Sequence, residues 1–191
     1  MSLFGLGNDI CHIPRIYRIL TSCHAQRFIA RVLTAEERSE ARPRALLQCI
    51  ASRPSSRVDQ TDAPWATGAS DNRIPNVWKA AVFMAGRFAA KEAAIKAHSS
   101  RRLTFEDIRI VRIRPAARPL KGVSEGQGQD QEEGETGDDA MTNEVALSSG
   151  PPVAVIKGFP PGQPDTTAML SISHDGDYAA AVCLSVHGTQ S

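Results

Sequence analysis

Three side chains in this sequence have types and spacings that chemistry could use. Asp9 lies in "GLGNDI", and Glu92 and Lys96 lie in "MAGRFAAKEAAIKAH". On a wheel of 100° per residue, Trp78, Ala81, Val82, Ala85, Phe88, Ala89 and Ile95 form one broad apolar stripe, and Glu92 falls near its centre. A carboxylate there must be neutralised, paired or bound to a cation, because an unpaired buried charge costs several kcal/mol, roughly. Lys96, one turn on and on the same side, offers an i, i+4 ion pair as the plain solution. The other solution adds Asp9, read as standing at a strand end beside two glycines. Two carboxylates with a lysine close by suit a hard divalent cation such as Mg²⁺, which often takes one or two protein carboxylates and completes its shell with water and phosphate. Lys96, and Arg87 if the helix end is open, would then complement the phosphate. Plainer roles stand beside these: Asp9 as a helix cap, Arg87 and Lys91 as a solvated face, His174 as a structural strand residue.

The elements that must carry these residues are legible in outline. Leu3 to Ile10 reads as a short strand, and "CHIPRIYRIL" as a helix with Ile13, Ile16, Ile19 and Leu20 inward and Arg15 and Arg18 outward. "AQRFIARVL" is a second helix, and Thr34 followed three residues on by Glu37 is a capping box that starts a third, which "ALLQCIA" could extend. The long helix should begin near a capping Asn76 and run to about Ala97. "FEDIRIVRIR" and "PPVAVIKG" read as strands. "AMLSISHDGDYAAAVCLSV" reads as a hairpin whose apolar positions are Leu170, Ile172 and His174, then Val182, Leu184 and Val186. The expected fold is α+β, an antiparallel sheet with helices packed on one side. One domain over 1–191 is expected, with loop insertions at 42–75 and 116–150. The second insertion holds eight acids and no base after Lys121, too little apolar surface to order itself.

Composition limits the function classes. With 41% hydrophobic and 23% charged residues the chain has ordinary globular usage. No apolar run approaches the ~18 residues that span a bilayer, so no membrane role is expected. Nor does "MSLFGLGNDI" have the basic lead-in or the Arg/Ser-rich pattern of a targeting segment. The four cysteines form no C-x-x-C pair, and Cys11-His12 and Cys23-His24 do not have zinc-ligand spacing, so reduced thiols in an intracellular protein are expected. Residues 1–121 hold 21 Lys and Arg against 10 acids, and residues 122–191 one Lys against 11 acids. An anionic partner for the first part follows. Nucleic acid is disfavoured, because two Trp, two Tyr and no interleaving of aromatic with basic residues give no base-stacking platform. A phosphate loop, H-E-x-x-H and G-x-S-x-G are all absent.

Four stretches in order, "GLGNDICHIPRI", "RFIARVLTAEE", "GRFAAKEAAIKA" and "LSISHDGDYAAA", resemble the holo-acyl-carrier-protein synthase family, the short 4'-phosphopantetheinyl transferases. Asn8 stands where relatives often have Thr or Ser, and both insertions are longer than in compact bacterial relatives. The resemblance implies the phosphopantetheinyl transferase fold and a Mg²⁺-dependent enzyme. Such an enzyme moves 4'-phosphopantetheine from coenzyme A to a serine of an apo acyl carrier protein and releases adenosine 3',5'-bisphosphate. It implies Asp9 and Glu92 as metal-binding carboxylates, and Asp9, Glu92 and Lys96 as the catalytic group. Arg87, Lys91, Lys96 and His174 would meet coenzyme A, and Arg15, Arg18 and Arg27 the acidic carrier. Glu92, directly or through water, is the candidate base. Also implied are a homotrimer with its site between neighbours and a role in fatty acid synthesis, with mitochondria favoured over the cytoplasm. A non-catalytic module that binds acidic carrier-like proteins through the same arginines is the alternative.

Overall fold

The computed structural model describes residues 4–51, 74–112 and 150–186. Residues 52–73 of the first expected insertion, and all but Gly150 of the second, lie outside the described residues. The chain divides into two units, Met1–Val111 with Pro152–Ser191, and Arg112–Pro151.

In chain order the elements are β1 (Phe4–His12), α1 (Ile13–Thr21), α2 (Ala25–Val32), α3 (Ala35–Ser39), α4 (Ala41–Ala51) and α5 (Pro75–Ala97). A 3-10 turn (Phe105–Asp107), β2 (Ile108–Arg112), β3 (Pro152–Ile156), β4 (Thr166–Asp175) and β5 (Tyr178–Val186) follow. The strands form one sheet in the order β1-β5-β4-β3-β2. The pairs β1–β5, β4–β5 and β3–β4 are antiparallel. Helices cover one face, as the α+β expectation required. β4 and β5 are joined through Gly176, whose φ of +50° is a conformation that glycine adopts without steric cost.

Local chemistry explains most boundaries. The capping box forms: Thr34 Oγ1 accepts from Glu37 N at 3.2 Å, and Glu37 Oε2 accepts from Thr34 N at 3.0 Å. α3 stops at Ser39, and "ALLQCIA" belongs to the separate α4. α5 starts at Pro75, not on a capping Asn76. Proline suits a first helical turn because the N–H it lacks would have had no partner there, and Tyr17 Oη accepts from Ile74 N at 3.1 Å.

α5 packs on the sheet through its small residues. A Cβ on Gly7 would stand 2.0 Å from the Ala93 carbonyl oxygen and 2.6 Å from Ala97 N, so the helix backbone rests directly on β1. The side that meets the sheet is therefore the small one, Gly86, Ala93 and Ala97. The large stripe turns to the other helices instead: Trp78 lies 6.0 Å from Tyr17 and Phe88 6.4 Å from Phe28, between ring centroids. β5 follows the same rule. Ala179, Ala181, Cys183 and Ser185 are buried under the helices, whereas Val182 and Val186, expected in the core, are exposed. With Phe4, Leu6, Ile10, Met169 and Tyr178 they form an apolar face on the side of the sheet that no helix covers.

Candidate active site

β1 continues three residues past Asp9, which pairs with Ala181 in mid-strand and is neither at a strand end nor a cap for α1. Two residues from Gly7, Asp9 shares its helix-facing side. The close approach at Gly7 brings the last turns of α5 beside the carboxylate. Lys96 Nζ donates to Asp9 Oδ1 at 2.8 Å and to the Asn8 carbonyl at 2.9 Å. The Asp9 side chain is 16% exposed and that of Lys96 50%. Glu92, one turn earlier on the same side, is half-buried. Among the described residues it has no ion pair, so the i, i+4 pair with Lys96 does not form and the lysine goes to the strand instead.

Arg15 approaches from α1. Its guanidinium lies 5.4 Å above the Phe88 ring, one turn before Glu92, and donates to Cys11 Sγ at 3.8 Å, two residues after Asp9. Burial pushes the Cys11 thiol up from its ordinary value, the Arg15 charge opposes this, and the Asp9 carboxylate adds to it. Arg15 is exposed, as are Arg18 on α1 and Arg27 on α2. The expected carrier-facing arginines thus stand on two helices, and Arg15 also reaches the elements that hold the carboxylates.

The structure corrects the reading of Lys91 and Arg87 as a solvated face. Lys91 is 0% exposed. Its Nζ donates to Glu37 Oε2 at 2.6 Å and to the Phe105 carbonyl at 3.0 Å, so this amine, expected from the resemblance to meet coenzyme A, is held inside the core. Burial pushes it below its ordinary value and the Glu37 charge opposes that shift. Arg87 Nη1 lies 3.5 Å from Glu37 Oε1 and donates to the Ile110 carbonyl, with the side chain 14% exposed. The Ile110 N–H completes the set, donating to Glu37 Oε1 at 3.0 Å. Glu37 is the residue that sequence reasoning missed as a charge partner. Its capping-box signature was visible, but its second task needs a lysine 54 residues away. His174 is exposed at the end of β4, and its Nε2 would lie 2.9 Å from a Cβ placed on Gly86. Arg87 therefore turns to a different side of α5 from Lys96.

The oxygen donors at Asp9 suit a hard cation. Asp9 and the Asn8 carbonyl supply oxygen only, Glu92 stands one turn away without a counter-ion, and an ammonium already occupies the edge of Asp9. No group of three or more His, Cys, Asp or Glu residues that could hold a metal occurs among the described residues. Two carboxylates suffice for Mg²⁺ when substrate phosphate and water complete the shell. None of the four cysteines, all among the described residues, is in a disulfide. No helix among the described residues is long and apolar enough to cross a membrane.

A sequence profile described as the 4'-phosphopantetheinyl transferase superfamily matches residues 5–147. A protein of Aspergillus fumigatus described as 4'-phosphopantetheinyl transferase B, mitochondrial, is 31% identical over 185 residues, which cover 94% of this chain and 92% of that one. Among solved structures, the holo-ACP-synthase from Plasmodium yoelii is 22% identical over 98% of each chain, with a TM-score of 0.48. The holo-(acyl-carrier-protein) synthase from Bacillus anthracis in complex with CoA (3',5'-ADP) is 21% identical over 94% of this chain and 93% of that one, with a TM-score of 0.44. With a family match over most of its length and a relative that is nearly a third identical from end to end, the chain belongs to the 4'-phosphopantetheinyl transferase superfamily.

Proposed function

We propose that, within the transferase activity of its family, this chain moves 4'-phosphopantetheine from coenzyme A to a serine of an apo acyl carrier protein, with Mg²⁺ as cofactor. The observation that carries the reading is the juxtaposition on β1 and α5: Asp9 in contact with Lys96, and Glu92 one turn before it. Asp9 and Glu92 would hold the metal. When bound, Mg²⁺ supplies positive charge beside the pyrophosphate. Lys96 binds phosphate oxygens and offsets the charge that grows on the leaving group. A serine hydroxyl is a poor nucleophile at neutral pH, and Glu92, directly or through a water it orients, takes its proton. The bond from the serine oxygen to the β-phosphorus forms as the bond to the bridging oxygen breaks, and adenosine 3',5'-bisphosphate leaves. Little covalent work falls to the protein; positioning and charge do most of it.

The exposed Arg15, Arg18 and Arg27 suit an acidic carrier surface. The uncovered apolar face, where Leu6 is 71% exposed, suits a second copy of the chain, because monomers rarely expose contiguous patches of that kind. We assign it to the contact of a homotrimer, whose neighbouring copies would supply Arg87 and His174 to a site shared with Asp9, Glu92 and Lys96. The mitochondrial label of the Aspergillus relative supports a mitochondrial placement. The test is to incubate the protein with coenzyme A, Mg²⁺ and an apo acyl carrier protein and to measure the intact mass of the carrier. The phosphopantetheine increment should appear on the serine and disappear with Glu92→Ala. A carrier that is bound but never modified would leave a binding module in place of an enzyme.

A further inference from the structure

The Lys96 ammonium touches two oxygens of one strand edge, Asp9 Oδ1 at 2.8 Å and the Asn8 carbonyl at 2.9 Å. It therefore stands on the carboxylate that the proposed function gives to the metal. We propose that Lys96 is a resident counter-ion of Asp9, which holds that position until substrate phosphate draws the amine away, so that a divalent cation enters together with coenzyme A and not ahead of it. This rests on the metal reading above and adds an order of binding to it.

Three observations support the device. The Asp9 side chain is only 16% exposed, so a standing cation offsets part of the desolvation of its charge at modest gain in stability. Lys96 is half in solvent, and a pair of that kind opens readily. The lysine carries its charge on a flexible four-carbon stem anchored in the last turn of α5, so the ammonium can move while the helix stays seated on Gly7. A divalent ion on the same carboxylate would meet the ammonium at close range. Even with the dielectric of water, two like unit charges ~4 Å apart weaken binding on the order of five-fold. A phosphate that takes the ammonium removes this penalty, which makes the metal and coenzyme A bind cooperatively through one side chain of the protein.

The test measures Mn²⁺, a paramagnetic probe for the Mg²⁺ position, by the resonance signal of the free ion, with and without coenzyme A. Without coenzyme A, Lys96→Met and Lys96→Gln should each bind Mn²⁺ about five-fold or more tightly than the parent protein. The tightening produced by adding coenzyme A should shrink in both variants. Equal or weaker Mn²⁺ binding by both variants, with Asp9→Asn still abolishing it, would overturn the counter-ion role and leave the metal site intact. Mn²⁺ binding that ignores Asp9→Asn and Glu92→Gln in the presence of coenzyme A would overturn the metal site, and the counter-ion role with it.

Discussion

Lys91 and Lys96 stand five residues apart on α5, and each donates to a carboxylate at less than 3 Å, Glu37 in one case and Asp9 in the other. Their surroundings separate them. Lys91 and Glu37 are sealed from water, and Glu37 is also bonded to Thr34, Ile110 and Arg87, so the pair ties α3, α5 and β2 together. Lys96 is half in solvent, and among the described residues the carboxylate of its partner accepts from no other side chain. Two buried charges cannot part without leaving one of them unpaired in a medium of low dielectric, whereas an exposed pair can exchange its partner for a ligand at little cost. One lysine is therefore built to stay and the other is free to leave. The distinction between scaffold and site in this motif depends on solvent access, not on residue type.

The largest effect should come from the buried pair. Lys91→Ala leaves the buried Glu37 charge with Arg87, 3.5 Å away, as its remaining cation, and should lower stability by about 3 kcal/mol, on the order of 10 °C in thermal unfolding. The double variant Glu37→Gln with Lys91→Met removes both charges, and it should recover to within about 2 kcal/mol of the parent in the same melt. A double variant as unstable as the single one would mean that the ion pair itself, and not the orphaned charge, matters. Lys96→Met should change stability by less than about 1 kcal/mol, because a half-exposed pair contributes little. Smallest of all is the response to salt. A double-mutant cycle across Lys96 and Asp9 should show a coupling of a few tenths of a kcal/mol that fades at about 1 M KCl, where charges are screened within ~3 Å. The cycle across Lys91 and Glu37 should hold its coupling in both buffers.

The same contrast explains what was legible in the sequence. Local signals read correctly: the capping box of Thr34 and Glu37, the inward isoleucines of α1, the hairpin around Gly176. Each depends on neighbours a few residues away. The side on which α5 meets the sheet is not legible from a hydrophobic wheel, which gives weight to Trp78, Phe88 and Ile95 and little to Gly86, Ala93 and Ala97. Those small residues are what allow two backbones to touch, as Gly7 shows. β5 was inverted for the same reason, its alanines being buried and its valines exposed. Lys91 was placed in solvent because its partner lies 54 residues earlier, and no local pattern announces it. Asp9 and Glu92 stand out in the sequence as candidates, while the lysine contact that links β1 to α5 appears only in three dimensions.

The most direct measurement compares transfer rates per folded molecule, at one temperature below every melting point, for Lys96→Met and for the double variant Glu37→Gln with Lys91→Met. Phosphopantetheine transfer should slow about 100-fold in Lys96→Met, whose fold is intact. The double variant, which alters the scaffold pair, should stay within a few-fold of the parent. Transfer that survives Lys96→Met and is lost in the double variant would contradict the division of the two lysines.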